Sequence, residues 1–285
     1  MIGAAEKNPG RWSLLLEETV KLPAFARRDF LVAWSYRFAF VSDALALFLQ
    51  AFLFYFVGLL VDETKLPEFG GSRVSYMEFV VIGIALAAFV QIGLGRVSAA
   101  MQREQMIGTL ESILVTPTSP STIQLGSVVY DLIYVPLRTG IFLVLVAVGF
   151  GLDFNLDGLL PAVLVVLFFI PFVWGLGLIS AAGTLTFRGG ATGVGFGITL
   201  MTLGSGAYFP LELLPDWVET VAKVNPMAIA INGMREPLLG TVDWAETLGH
   251  LLVLTPMSAV SLALGIVAFR LALQRERRRG TLGLY

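Results

Sequence analysis

Cysteine is absent from the 285-residue chain, and histidine occurs once, at position 250. Without cysteine the chain has no disulfide and no thiolate metal site. Charge is also scarce, because charged residues make up 14% of the chain, whereas soluble domains carry about 25%. A hydrophobic fraction of 56% and a mean hydropathy of +0.80 accompany this low charge. The composition therefore predicts an integral membrane protein.

Signatures of catalysis and of nucleotide binding are missing as well. A phosphate-binding loop needs glycines that expose backbone N–H groups and a lysine that contacts the phosphates. No Gly-Lys pair occurs in the chain, and the glycine-rich segment 189–197 lacks lysine. His250 begins an apolar run and is interpreted as a hydrogen-bonded or interfacial residue rather than a metal ligand. We therefore predict no catalytic residue, no metal site, no cofactor in this chain and no nucleic-acid partner.

Apolar runs long enough to cross a bilayer core of ~30 Å recur along the chain. We predict one transmembrane domain over 1–285 with six spanning helices. The spans cover about 38–61, 79–99, 128–150, 159–185, 192–210 and 246–269. Pro171 is expected to kink the fourth span. Gly193 and Gly197 form a GxxxG pattern in the fifth, which permits a close approach of helices.

The orientation is predicted from basic residues near the ends of the spans. Fourteen Lys and Arg residues lie on one side of the membrane and four on the other, with Arg138 left out as intramembrane. The positive-inside tendency then places both termini in the cytoplasm of a multi-pass plasma-membrane protein. Residues 1–37 combine a tail with an amphipathic segment that is expected to lie on the membrane surface, with a soluble packing helix as the alternative. Residues 270–285 form a second cytoplasmic tail.

A polar segment, 102–117, follows the second span and is predicted to form a short cytoplasmic helix. Its apolar face recurs at helical spacing and consists of Met106, Leu110, Ile113 and Leu114. Pro117 ends the helix, because its ring and its missing N–H cannot continue the hydrogen-bond ladder. Such a segment cannot lie in hydrocarbon. It either contacts another protein or is a solvated loop helix, and the pattern leaves both readings open.

Two further features interrupt the apolar pattern. Residues 211–243 are too polar and too broken to span, so we interpret them as a re-entrant or surface hairpin of two short helices on the outer side. Asp131 and Arg138 lie seven residues apart and share a face of the third span. Charges at membrane depth are costly and point inward or toward an interface. A structural charge pair and a role in a transport path both remain open for these two residues.

Three segments of the sequence carry a resemblance to a known family. They are RE-x3-GTLESILVTP after the second span, the block 206–235 before the sixth, and RRRGTLG near the C-terminus. Together with the six spans they resemble the permease subunit of a type-2 ATP-binding-cassette (ABC) exporter, over nearly the whole chain. The resemblance implies an all-α integral membrane fold. Its parts are an N-terminal amphipathic interfacial helix, six transmembrane helices, a cytoplasmic coupling helix and an extracellular re-entrant helical hairpin.

The resemblance also implies contacts with partners. In that family the coupling helix sits in a groove of a separate ATPase subunit. The residues assigned to this contact are Glu104, Met106, Gly108, Thr109, Leu110, Glu111, Ile113 and Leu114. The external hairpin helps to close the outer end of the pathway, and the residues assigned to it are Phe209, Pro210, Leu214, Pro215, Trp217, Asn225 and Pro226. Two ATPase subunits, which bind ATP and Mg, and a second permease subunit complete the expected transporter, with a homodimer favoured.

The function that the resemblance implies is export of an amphipathic, drug-like or lipid- or glycolipid-like molecule from the cytoplasm or the inner leaflet. A polysaccharide or lipid-linked glycan exporter of the same family is the alternative, although the segment RRDFLVAWSYRF shows no clear glycan-exporter pattern. A stand-alone secondary transporter or channel is expected to carry several intramembrane ionisable residues, and only Asp131 and Arg138 qualify. The coupling-like helix argues against a membrane scaffold without cargo, but only through the resemblance.

Overall fold

The computed structural model describes residues 37–71, 73–107, 120–186 and 190–279, together with Arg27, Phe30 and Leu31. All regular elements in this part of the chain are helical. The α-helices are α1 Arg37–Gly58, α2 Tyr76–Ile107, α3 Pro120–Phe150, α4 Leu159–Thr186, α5 Gly190–Leu203, α6 Asp216–Ala222, α7 Pro226–Leu239 and α8 Trp244–Arg279. Short 3-10 turns occur at Glu63–Lys65, Leu156–Gly158 and Leu211–Leu213. Most of the predicted N-terminal surface helix lies outside the described residues.

Three helical stretches in the described part are long and apolar enough to cross a membrane. They are Tyr76–Gly95, Leu156–Thr186 and Trp244–Arg275. Shorter apolar helices cover Leu45–Gly58, Tyr134–Phe150 and Gly193–Leu203, within α1, α3 and α5. The prediction of an all-helical membrane protein is therefore confirmed. Three of the six predicted spans meet this criterion. That the three shorter helices also cross the membrane stays a prediction.

The core of the bundle is formed by α2 and α4. Between Phe79 and Val90 nearly every side chain of α2 is buried, as expected for a helix that is apolar all round. One side of α4 packs against α2, and α8 packs against α4 more extensively than any other pair of helices. α1 and α3 cover α2, while α7 fills the space between α2, α4 and α8.

Small residues bring α4 and α8 into backbone contact. A Cβ placed at Gly175 would overlap the backbone of Ser261, and one placed at Gly265 would overlap the backbone of Gly175. The Ser261 hydroxyl donates a hydrogen bond of 2.9 Å to the Phe172 carbonyl. Close approach through small residues is typical of membrane helices, since apolar burial gives them little drive to associate in lipid.

The fifth predicted span is shorter in the structure than its apolar run. α5 ends at Leu203, and residues 204–210 form a turn in which Gly206 has a φ of 71°. Glycine adopts this left-handed conformation readily because it has no Cβ. With 14 residues, α5 is about 21 Å long, which is less than the ~30 Å of a bilayer core. The turn 204–210 takes the place of the last part of the predicted span.

The predicted polar helix 102–117 begins as the continuation of α2. α2 runs without a break from Tyr76 through Ile107, so residues 102–107 belong to the same helix as the second predicted span. Residues 108–119 lie outside the described part of the chain. Pro117, the predicted stop, is among them.

The predicted hairpin 211–243 does contain two short helices with a break between them. α6 is followed by residues 223–225, and α7 begins at Pro226. The Asn225 side chain accepts a hydrogen bond of 3.0 Å from the Met227 N–H. Asn at the N-cap and Pro at the first helical position both favour a helix start. α7 contacts α2, α4 and α8, so it belongs to the bundle, and its depth in the membrane stays a prediction.

Candidate functional site

A cavity of about 430 Å³ lies between α1, α2, α3 and α5. Small-molecule sites typically measure about 300–1,000 Å³. The apolar part of its lining consists of Ala46, Leu47, Ile84, Ala87, Ala88, Ile92 and Leu203. The polar part consists of Gln50, Gln91, Arg138, Thr199, Thr202 and Tyr208. The cavity therefore combines an apolar wall with groups that can bind a polar or negatively charged part of a ligand.

The face of α2 that lines the cavity combines small and larger side chains. Ile84, Ala88 and Gln91 recur at spacings of four and three residues and so lie on one face of α2. Elsewhere on α2 larger residues such as Phe79 and Ile82 fill the core. Ala87 and Ala88 are the small residues of the cavity-lining face.

Arg138 supplies a positive charge to the cavity wall. Its side chain is only 6% exposed, although it lies in the apolar part of α3. The sequence predicted a pair with Asp131, whose side chain lies outside the described set, so that pairing stays a prediction. A buried guanidinium attracts a carboxylate, a phosphate or a strongly polar group, because its five N–H donors have fixed directions.

Two of the three threonines of α5, Thr199 and Thr202, add hydroxyl oxygens to the same wall. The Thr199 hydroxyl donates to the Gly195 carbonyl at 3.0 Å, and the Thr202 hydroxyl donates to the Ile198 carbonyl at 2.9 Å. Because the Thr199 proton is used within the helix, its hydroxyl oxygen is left to accept a hydrogen bond, whereas the buried Thr202 hydroxyl also lies 3.6 Å from the Met227 sulfur. The amides of the two lining glutamines can both donate and accept. Gln50 and Gln91 were not predicted as site residues from the sequence. The feature that could have identified them is an amide side chain within an apolar run.

The turn 204–210 forms one end of the cavity through Tyr208. The Tyr208 ring stacks on Phe54 with 5.4 Å between the ring centroids and 5° between their planes. The Tyr76 hydroxyl donates to the Tyr208 carbonyl at 3.0 Å. The predicted gate residues Phe209 and Pro210 belong to this turn. The turn is thus held by α1 and by the start of α2.

Arg235 of α7 fixes the same turn from the other side. Its Nε donates to the Phe79 carbonyl at 3.1 Å, and its Nη2 donates to the Ala207 carbonyl at 3.2 Å. Its guanidinium carbon lies 3.5 Å from the centroid of the Phe79 ring. The side chain is 1% exposed, and burial lowers the pKa of Arg235 to about 9, against the raising effect of Glu212. It therefore remains charged at neutral pH.

Arg235 is one of the four basic residues that the sequence places on the outer side, the others being Lys65, Arg73 and Lys223, and the structure buries it instead. Its place in NP-x8-R was visible, but its two acceptors were not. Neither Phe79 nor Ala207 is close to it in sequence, so no local pattern joins them.

Asn225, one of the predicted hairpin residues, contacts the end of α5. Its Nδ2 donates to the carbonyls of Met201 at 2.7 Å and Gly204 at 3.1 Å. It therefore ties the end of α5 to the start of α7, where Pro226 follows. The remaining predicted hairpin residues are Leu214, Pro215 and Trp217. They lie before and within α6, and Trp217 is 74% exposed, away from the cavity.

The predicted coupling residues fall at the edge of the described chain. Glu104 and Met106 lie on the last turns of α2, and their side-chain positions are not part of the described set. The other members of the set are Gly108, Thr109, Leu110, Glu111, Ile113 and Leu114. These residues lie outside the described residues, so their role stays a prediction.

Known proteins resemble this chain over the part that forms the site. A family model described as ABC-2 type transporter matches residues 21–239, which include the cavity, the turn 204–210 and all of α7. The linearmycin resistance permease protein LnrN of Bacillus subtilis (strain 168) is 23% identical over 184 residues. That alignment covers 64% of this chain and 47% of LnrN. The chain therefore spans about half the length of the curated relative it matches.

Proposed function

Because the chain belongs to the ABC-2 type transporter family and is a permease subunit, we propose that it exports an amphipathic, drug-like or lipid- or glycolipid-like molecule. The cargo would leave the cytoplasm or the inner leaflet through the cavity between α1, α2, α3 and α5. The observation that carries the proposal is the mixed lining of this cavity within the segment that matches the family. The name of LnrN, a linearmycin resistance permease, supports a drug-like cargo by analogy.

The lining favours an amphipathic cargo over the polysaccharide alternative. A glycan exposes hydroxyls on most of its surface, and each hydroxyl left without a partner in an apolar site is costly. The alanine and isoleucine wall of α2 offers no such partners, whereas it suits an apolar body. Arg138 and the two glutamines suit a polar head. A lipid-linked glycan remains the second candidate, because its lipid part would fit the same wall.

Filling the cavity tests its role directly. We expect Ala88→Trp to reduce transport by about tenfold or more, because the indole takes up ligand space and 1.4 kcal/mol of lost binding corresponds to tenfold. The measurement is substrate uptake into liposomes that contain the permease with its ATPase on the outer face. Ala263→Trp, at an exposed position on α8, controls for the added aromatic residue. Normal transport by Ala88→Trp would show that the cavity is not the pathway.

The energy source in this proposal is a separate ABC ATPase, present in two copies and binding ATP and Mg. Its contact would be the predicted coupling residues at the end of α2 and beyond. The continuity of α2 supports this arrangement, because one rigid helix joins that end to the cavity wall at Ile84, Ala88 and Gln91. A helix of 32 residues is about 48 Å long. A displacement of the cytoplasmic end of α2 would therefore be transmitted to the cavity wall.

Leu110→Asp tests the coupling contact. We expect loss of ATPase recruitment, because a charge in a dry interface typically costs a few kcal/mol. Insertion into the membrane should stay normal. Glu111→Lys should weaken the contact less if Glu111 lies at the rim, where charges are screened. Co-purification of the ATPase from detergent and coupled turnover in liposomes measure both variants. Full recruitment and turnover by Leu110→Asp would make 102–117 an ordinary loop.

The proposed assembly is a plasma-membrane homodimer with six spans per subunit and both termini in the cytoplasm. Nothing in the described chain lies within 4 Å of a Cβ placed at Gly193 or Gly197, so the GxxxG face of α5 is open to a second helix. The burial of Arg235 supports the orientation, because it removes one of the few basic residues counted on the outer side.

A further inference from the structure

Three side chains that can bind metal meet where α7 packs against α8, apart from the cavity. Glu236 comes from α7, and Glu246 and His250 come from α8. Their potential ligand atoms all lie within 4.8 Å of one another. His250 Nε2 is 2.6 Å from Glu236 Oε2. The sequence did not reveal the group, because Glu236 joins it only through the packing of two helices.

The positions of the three side chains are set by the backbone around them. Glu246 and His250 are four residues apart, so they lie on one face of α8 in its first turns. Residues 240–243 connect the helices and bring the last turn of α7 beside that face. This connection is anchored, since Asn155 Nδ2 donates to the Gly240 carbonyl at 3.0 Å. Gly233 gives room for the imidazole, because a Cβ there would lie 3.2 Å from the His250 Cγ.

We propose that Glu236, Glu246 and His250 bind a divalent transition-metal ion of the Zn²⁺ type. One imidazole nitrogen and two carboxylate oxygens form a ligand set that suits Zn²⁺, whereas Mg²⁺ and Ca²⁺ favour oxygen ligands alone. With metal–ligand distances of about 2.0–2.2 Å, neighbouring ligands of a tetrahedral site lie roughly 3.3 Å apart. The present separations of 2.6 Å and at most 4.8 Å lie on either side of that value.

Charge and access favour the same conclusion. With a neutral imidazole the group carries two negative charges, and one divalent cation balances both. Without a cation, the imidazole hydrogen bond goes to Glu236. Glu246 is exposed, so an ion and a water molecule in the fourth position can reach the site, while Glu236 and His250 are partly buried. Partial burial strengthens the attraction for the cation, because solvent screens it less.

The bound ion would join the end of α7 to the start of α8. Arg235, the neighbour of Glu236, holds the turn 204–210 through the Ala207 carbonyl. An ion on Glu236 therefore restrains the helix that positions this turn. The metal site does not depend on the proposed transport function.

The test uses the full chain in mild detergent, freed of any affinity tag and treated with EDTA. Thermal unfolding is followed by tryptophan fluorescence with added ZnCl₂ or MgCl₂. We expect Zn²⁺ to raise the melting temperature in a saturable way and Mg²⁺ to leave it unchanged. Glu246→Gln removes one ligand but keeps the Glu236–His250 hydrogen bond, so it should bind Zn²⁺ at least about tenfold more weakly. Glu68→Gln, at an exposed glutamate outside the group, should behave as the unaltered chain.

Two results would overturn the metal site. One is an unaltered chain whose melting temperature does not respond to Zn²⁺ and which binds no Zn²⁺ in equilibrium dialysis. The other is a Glu246→Gln variant that responds as strongly as Glu68→Gln, which would assign the effect to scattered surface carboxylates. Equilibrium dialysis with Zn²⁺ gives the bound stoichiometry and does not require a shift in melting temperature. Neither readout involves the ATPase or transport, so failure of the metal site is separable from failure of the proposed function.

Discussion

Arg235→Ala is expected to destabilise the chain by about 3 kcal/mol, because it removes two hydrogen bonds from a charged donor, each contributing about 1.5–3 kcal/mol. Ala207 lies in a turn, so its carbonyl has no helical ladder to return to when the guanidinium is lost. The truncation also leaves a cavity against Phe79, which adds to the loss. Release of the charge from its buried position offsets part of these terms. The measurement is thermal or denaturant unfolding in mild detergent.

Two further variants test whether the contacts of the Arg235 guanidinium cause this loss of stability. Arg73 is also an arginine, but it is exposed and pairs with Glu68 at 3.7 Å, so Arg73→Ala should change stability by less than about 0.5 kcal/mol. Arg235→Lys keeps the charge but lacks the planar fork that reaches two carbonyls, so it should fall between the two alanine variants. Equal stabilities of Arg235→Ala and Arg73→Ala would show that the guanidinium does not hold the turn.

Gly83→Ala is expected to have an effect of similar size, about 3 kcal/mol, at the upper end of what added methyl groups cause in packed cores. A Cβ at Gly83 would overlap the carbonyl of Ala207. Because the overlapped atoms belong to the backbone, neither partner can move aside by changing a rotamer. α2 and the turn 204–210 must separate, and the hydrogen bond from Arg235 to Ala207 lengthens as a result. Unfolding in detergent measures this loss.

Gly95→Ala is the matched control on the same helix. Nothing lies within 4 Å of a Cβ placed at Gly95 in the described chain. Alanine in a helix interior is favoured over glycine by about 0.5–1 kcal/mol, so this variant should be as stable as the unaltered chain or slightly more so. A Gly83→Ala variant with the same stability as Gly95→Ala would contradict the close contact of α2 with the turn.

The turn 204–210 is the point at which these contacts meet. Tyr76, Gly83 and Arg235 each contact it from α2 or α7, and Asn225 holds the end of α5 that leads into it. Tyr208 of the same turn lines the cavity. A movement of α2 or α7 that displaces this turn would therefore change the cavity lining at Tyr208. Under the proposed function, this is where the outer end of a transport path would open and close.

Local sequence patterns were sufficient to predict those features of the chain that depend only on neighbouring residues. Long apolar runs determined a helical membrane protein, because insertion into lipid depends on the length and apolarity of each run. Asn225 and Pro226 determined a helix start, because capping involves only the next few residues. Motifs near 102–117 and 206–235 carried the family resemblance, which the match to residues 21–239 confirms. The coupling residues, the homodimer and the cargo stay predictions.

The cavity, the burial of Arg235 and the group of Glu236 with His250 were decided only by the tertiary structure. Arg235 and Phe79 are 156 residues apart, and no periodicity within one helix can indicate such a contact. The early end of α5 has the same origin, since its apolar run continues while the turn 204–210 is held by groups from α2 and α7. The spacing of residues along a helix predicts which of them share a face, but only the packing of the helices determines which residues that face contacts. Two glutamines in apolar runs thus line one cavity only because α1 and α2 face the same opening.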